Sequence, residues 1–263
     1  MDNNTILKIE NLSISFGGLK AVDDLSFEIK EKNIFGLIGP NGAGKTTVFN
    51  CITQFYKPDT GKIFFRNKEG NIINLTEEKV YKIINQGLVR TFQNLEIIKE
   101  LSVIDNILVG SHIFFKSNLV QVMLKTKKAK LEERTFREKA EEILKFLKLS
   151  DIKDTPAGAL PYGVLKKIEL GRTLISDPKL IILDEPAAGL NDTETLQLSE
   201  MIKEVRDKYN CSILLVEHDM RLVMDICDRI CAISFGKHLA TGNVEEIQKN
   251  AQVQEAYLGK EDD

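Results

Sequence analysis

The chain has 263 residues, 43% hydrophobic and 29% charged, an ordinary globular mixture of one large domain's length that can bury a core without metal or disulfide staples. Lysine and arginine number 36 against 39 acids, a formal net charge of −3, which gives no global pull toward nucleic acid. No apolar run reaches the 18 residues of a membrane span, the polar and acidic residues 1–10 lack a signal-peptide pattern, and Cys51, Cys211, Cys227 and Cys231 lack zinc-site spacing, so the chain reads as a cytosolic protein with buried thiols.

The first 30 residues alternate. Ile6-Leu7-Lys8-Ile9 and the set Val22, Leu25, Phe27, Ile29 predict half-buried antiparallel strands, broken by a turn at Gly17-Gly18. Ile34-Phe35-Gly36-Leu37-Ile38 is a short continuous apolar run, followed by a glycine-rich loop and by residues 47–54, which suit a helix. The same buried-strand signature returns at Leu180-Ile181-Ile182-Leu183 and at Ser212-Ile213-Leu214-Leu215-Val216, each flanked by helical patterns. Recurring buried strands and helices predict an α/β domain with a largely parallel sheet.

The middle differs. Residues 102–149 show no convincing strand, and 125–145 are rich in Lys, Glu, Arg and Leu, with apolar positions at Leu131, Ala140, Ile143, Leu144 and Leu147. This predicts a helical insertion. Lys125, Lys127, Lys128 and Lys130 are mixed with Glu132, Glu133, Glu138, Glu141 and Glu142, which reads as a solvated helix face and not as a phosphate or membrane-surface patch. There is no internal repeat and no low-complexity segment.

The strongest chemical signal is Gly39-Pro40-Asn41-Gly42-Ala43-Gly44-Lys45-Thr46-Thr47. It fits G-x-x-x-x-G-K-[ST], after a predicted strand and before a predicted helix. The glycines let backbone N–H groups turn inward around phosphate oxygens, and the helix N-terminus adds partial positive charge. Lys45 is placed to reach β- and γ-phosphates, and the Thr46 hydroxyl to hold Mg²⁺.

The second signal is the apolar strand ending in Asp184-Glu185. Both carboxylates fall at the C-terminal edge of a parallel sheet, where open α/β folds bind ligands. Asp184 would support Mg²⁺, and Glu185 would polarise an attacking water as general base. The third is His218 in Leu214-Leu215-Val216-Glu217-His218-Asp219, at the end of another buried strand, read as a contact to the γ-phosphate. Between them, Leu160-Pro161-Tyr162-Gly163-Val164 precedes apolar positions 165, 168, 170 and 174, which predict an amphipathic helix beginning just after Gly163.

In this order and spacing the motifs resemble the ATP-binding subunit of an ABC transporter, over essentially the whole chain. The resemblance implies the P-loop NTPase fold of an ABC ATPase, with a mostly parallel sheet, an N-terminal antiparallel β part and a helical subdomain inserted at about 102–176 of a single 1–263 domain. It places Phe16 at the aromatic that stacks on adenine and Gln93 at the glutamine that joins the nucleotide and its Mg²⁺ to the membrane partner. It places Leu160 to Val164 at the signature loop, so that Tyr162 and Gly163 would meet nucleotide. Asp184 and Glu185 fall at the metal-supporting acid and the catalytic glutamate. Gly189-Leu190-Asn191 falls at the loop crossing a dimer interface, and His218 at the switch histidine.

Phe16-Gly-Gly-Leu-Lys-Ala-Val22-Asp-Asp, Leu160-Pro-Tyr-Gly163, Pro186-Ala-Ala-Gly-Leu-Asn191 and Glu255-Ala-Tyr-Leu-Gly259 are similar to one of the two ATPases of branched-chain amino acid importers. That implies ATP and Mg²⁺ as ligands and two membrane permeases, a second ATPase subunit and an external solute-binding protein as partners, with no nucleic acid. It also implies a place in the cytoplasm against the inner face of the membrane. The apolar residues Ile113, Phe114, Phe115, Val120 and Met123 would either line the permease dock or fill the core of the helical subdomain.

Two departures stand out. The family's signature serine is Pro161 here, and Val164 stands where a glutamine is expected even in the importer group. Val164 is either harmless variation or the mark of an asymmetric pair with one weak site. The alternatives are an exporter ATPase for lipid or lipopolysaccharide, and a soluble ABC ATPase acting on nucleic acid. The stretch from Gln93 to Leu160 is too short for the long coiled coils of the latter.

Overall fold

The alternation of the first 30 residues becomes two long strands, β1 (Thr5–Phe16) and β2 (Leu19–Lys30), in a computed structural model that describes residues 1–91, 96–117, 119–124 and 126–258. They form an antiparallel hairpin, and Gly17 and Gly18 make its turn with φ of +54° and +86°, angles that cost glycine least. Then follow β3 (Ile34–Ile38), α1 (Lys45–Ile52), β4 (Thr60–Arg66), β5 (Ile72–Asn74), α2 (Val80–Gln86) and β6 (Leu88–Arg90). A second compact unit occupies Thr91–Asp177. The first unit resumes with β7 (Leu180–Asp184), α7 (Asp192–Tyr209), β8 (Ser212–Val216), α8 (Met220–Ile226), β9 (Arg229–Ser234), β10 (Lys237–Gly242), α9 (Val244–Gln248) and α10 (Ala251–Leu258).

Two sheets build this first unit. One is antiparallel, in the order β2-β1-β4-β5. The other runs β10-β9-β3-β8-β7-β6, parallel throughout except for the antiparallel edge strand β10. Every residue of β3, β7 and β8 is buried, which explains their unbroken apolar runs: a strand covered on both faces has no position for an alternating polar residue. A single apolar cluster joins the sheets. It takes Leu7 and Ile9 from β1, Phe27 from β2, Phe35 from β3, Phe49 from α1, Phe65 from β4 and Leu214 from β8. Phe27 and Phe35 stack with centroids 5.4 Å apart. All four cysteines are free and buried, and burial pushes the Cys51 and Cys211 thiols up to about 12.

The second unit is helical: α3 (Val103–Val109), α4 (Leu119–Met123), α5 (Lys127–Phe146) and α6 (Tyr162–Leu174). Among its described residues, extended pairing is limited to one bridge, Ser102 to Pro156. It begins at Thr91, ahead of the boundary near 102 expected from the sequence. The reason is Asn106 of α3, a fully buried amide that bonds Ile98 N and O, Leu101 O and Ser102 O and so ties the preceding segment to the helices.

In α5, Ala129, Ala140, Ile143 and Leu144 are buried, but Leu131 is exposed. Leu131 lies two residues past Ala129, on the opposite face of the helix, and its neighbours there, Arg134 and Glu138, form a solvated i,i+4 pair. Of the candidate docking residues, Ile113 and Met123 are exposed, and Phe114 and Phe115 are half-buried. Phe115 stacks on Phe136 at 4.9 Å. The side chain of Val120 lies outside the described set.

Leu214 sits in the middle of β8, between β3 and β7, with no exposed surface. Leu214→Ala is expected to lower the unfolding free energy by about 2–5 kcal/mol, read from the urea midpoint, because the packed sheet cannot collapse into the cavity.

Candidate functional site

The loop after β3 owes its shape to two glycines. A Cβ on Gly39 would lie 2.2 Å from the carbonyl oxygen of Ile233. Gly44 has φ +101°, and a Cβ there would lie 2.5 Å from Ala21 O. Gly44 turns the chain so that α1 starts at Lys45, two residues ahead of the expected Thr47. No side chain caps α1, which leaves its first-turn N–H groups without a side-chain acceptor at the N-cap. The loop is latched from outside: Gly236 N donates to Ala43 O and Asp23 N donates to Gly236 O, both at 2.9 Å. The Tyr257 phenol of α10 is hydrogen-bonded to the backbone of Gly39, and burial pushes its pKa up to about 12.

Lys45 is nearly buried, and its ammonium donates to Gly39 O (2.7 Å) and Pro40 O (3.0 Å). Burial pushes its pKa down, and the charges of Glu185 and Asp184 pull it up. An open cleft of about 520 Å³ lies over the loop. Asn41, Gly42, Ala43, Gly44, Lys45, Thr46 and Thr47 line it, with Leu19, Lys20 and Ala21 of β2, Glu185, and Phe235 of the β9–β10 turn.

Asp184 ends β7, buried and paired with Arg90 at the end of β6: Arg90 Nη2 donates to Asp184 Oδ2 at 2.6 Å, and Nη1 to Asn50 Oδ1 of α1 at 2.6 Å. The guanidinium lies 5.8 Å from the centroid of the Phe49 ring. Parallel register puts Asp184 opposite Val216, so the next residues of both strands emerge side by side. Glu185 leaves the strand with φ +48°, its N–H donating to Val216 O at 2.9 Å. Across from it, His218 is mostly exposed. Its Nδ1 stands 3.9 Å from Glu185 Oε1 and 3.9 Å from Glu217 Oε2, beyond a direct hydrogen bond. Glu217 is wholly buried, and burial pushes its pKa up against the pull of its backbone N–H partners.

Phe16, at the end of β1, is 46% exposed and meets Tyr56 edge-on at 5.2 Å. It pairs with Leu19 across the hairpin whose second strand lines the cleft. The first unit thus brings together the residues 39–47, Asp184, Glu185 and His218. Tyr162 and Gly163 belong to the second unit and form the first turn of α6. That helix begins before Gly163, because Pro161 supplies a helix-compatible φ of −61° at the N-cap and its carbonyl takes the Val164 and Leu165 N–H groups. Asn191 caps α7 in a reciprocal capping box with Glu194. Gln93 lies outside the described residues. Glu217 stands in the His218 motif and Arg90 near Gln93, but neither they nor Asn50 and Phe235 were given a role from the sequence. The one available signal was a charged residue, Arg90, closing the short apolar stretch Leu88-Val89.

Among the described residues, no helix is long and apolar enough to cross a membrane. The ABC transporter family model matches residues 22–188, and a branched-chain amino acid ATP-binding cassette transporter model matches residues 237–263. The chain is 43% identical over 255 residues to the high-affinity branched-chain amino acid transport ATP-binding protein LivG of Salmonella typhimurium, covering 97% of this chain and 98% of the relative. It is 40% identical over 260 residues to the corresponding protein BraF of Pseudomonas aeruginosa, with 97% and 98% covered. A solved ATP-binding cassette of an ABC transporter, in its ADP conformation, superposes with a TM-score of 0.82 at 33% identity, covering 97% of this chain and 99% of that one.

Replacing Arg90 leaves the Asp184 carboxylate buried without its counter-ion. Arg90→Met is therefore expected to destabilise the chain by about 3–5 kcal/mol in urea unfolding.

Proposed function

The chain belongs to the ATP-binding subunits of ABC transporters, and from that premise we propose that it hydrolyses ATP to drive import of branched-chain amino acids. The observation that carries the catalytic part is the convergence of Lys45, Asp184, Glu185 and His218 at the C-terminal ends of the adjacent strands β3, β7 and β8. The solute is supported by full-length similarity to proteins named for branched-chain amino acid transport and by the family match over the C-terminal tail.

In this reading the N-terminus of α1 and Lys45 take the β- and γ-phosphates, with Lys45 exchanging its carbonyl partners for phosphate oxygens. The hydroxyl of Thr46 and the carboxylate of Asp184 are hard oxygen donors. A cation held there would take the rest of its shell from phosphate and water. Mg²⁺, when bound with ATP, offsets the phosphate charge. Gln93 completes the same set. Glu185 polarises the attacking water, and His218 steadies the γ-phosphate. Phe16 stacks on adenine.

Tyr162 and Gly163 act in trans, from the signature loop of a facing ATPase, so ATP favours a closed dimer and hydrolysis releases it. Pro161 lacks a hydroxyl, and the phosphate contact there falls to backbone N–H groups. We read residues 1–263 as one ABC ATPase domain with a helical insertion. It acts at the inner face of the membrane with two permeases, a second ATPase and, indirectly, an external solute-binding protein.

Glu185→Gln is expected to keep ATP binding and lose at least 99% of turnover, as checked by nucleotide titration and phosphate release. Full turnover in that variant would remove Glu185 from its role. Native capture of the chain from gently solubilised membranes should bring two polytopic subunits and a different ATPase of similar size. Recovery with ribosomes or nucleic acid and no membrane subunit would overturn the transporter assignment while leaving the ATPase intact.

A further inference from the structure

Glu217 has no role in the mechanism above, yet it is the carboxylate buried deepest beside it. The β7–β8 ladder ends where Glu185 N donates to Val216 O, because Glu185 then turns into the left-handed region and the strands diverge. From that point the Glu217 side chain takes over the bonding. Its Oε1 accepts from Ala187 N at 2.7 Å, two residues beyond Glu185. Its Oε2 accepts from His218 N at 3.1 Å and from Asp219 N at 3.4 Å. The segment carrying Glu185 is therefore pinned on both sides by consecutive residues, Val216 at the end of β8 through its carbonyl and Glu217 just after it through its carboxylate. The same carboxylate holds the backbone of His218, whose Nδ1 stands equally far from Glu185 and Glu217.

We propose that Glu217 is a positioning residue for ATP hydrolysis: it ties the segment after β7 to the segment after β8 and so sets the separation of Glu185 from His218. The inference rests on the catalytic reading of those two residues. The role demands acceptors on both sides. A buried side chain with no acceptor would leave three backbone N–H groups to find other partners. Glutamine has the size of glutamate but one acceptor and one amide donor, so one of the two pins must face N–H against N–H. Aspartate keeps the charge but is one methylene shorter, and it cannot reach Ala187 while holding His218.

The test uses the full chain. Glu217→Gln should lower kcat for ATP at least fivefold while KM and the affinity for a non-hydrolysable ATP analogue change less than twofold. Combined with His218→Ala, it should impair turnover far less than the product of the two single effects, because the two residues act as a unit. Should the glutamine variant not fold, Glu217→Asp must show the same split. Unchanged kcat in a folded variant would overturn the proposal. So would effects that multiply fully with His218→Ala, or affinity that falls in step with kcat, each the mark of a purely structural role. Full turnover in Glu185→Gln and His218→Ala themselves would instead refute the catalytic reading on which the proposal rests.

Discussion

A strand buried on both faces can carry polar side chains only where it ends. That constraint shapes this molecule. Strands β3, β7 and β8 are buried along their whole length, and each passes directly into polar chemistry: the glycine-rich loop after Ile38, Asp184-Glu185 at the close of β7, and Glu217-His218 after Val216. Parallel pairing then brings the three ends to one edge. The site is a consequence of strand direction as much as of the residues in it.

At that edge the charged groups already have partners of the kind that nucleotide and cation would supply. The Lys45 ammonium rests on two loop carbonyls, and the Asp184 carboxylate on the Arg90 guanidinium. Arg90 also binds Asn50 of α1, so the acid at the end of β7 and the helix that follows the loop after β3 share one cation. Glu217 supplies the comparable tie between the ends of β7 and β8.

The loop is held from further away as well. The Gly236 turn, itself bonded by Asp23 N, the β2 backbone at Ala21, and the Tyr257 phenol all meet it. Gly39 and Gly44 are needed because carbonyl oxygens approach where a Cβ would stand. Tyr257 lies in the segment matched by the branched-chain transporter model, which gives the tail a physical connection to the loop after β3.

The residue pattern alone makes legible the strands, the glycine-rich loop after β3, and the Asp184-Glu185 and His218 motifs. Continuous apolar runs, glycine spacing and the residue after each run are local properties, readable without knowing what lies opposite. It did not reveal Arg90 opposite Asp184, Glu217 reaching Ala187, Gly236 against Ala43, or the exposure of Leu131. Arg90 and Asp184 are 94 positions apart, and they meet because β6 takes the edge beside β7. Such pairings follow from the order of strands in the sheet and the packing of helices around it. Those are settled by which apolar faces bury best together, and no local pattern carries that information.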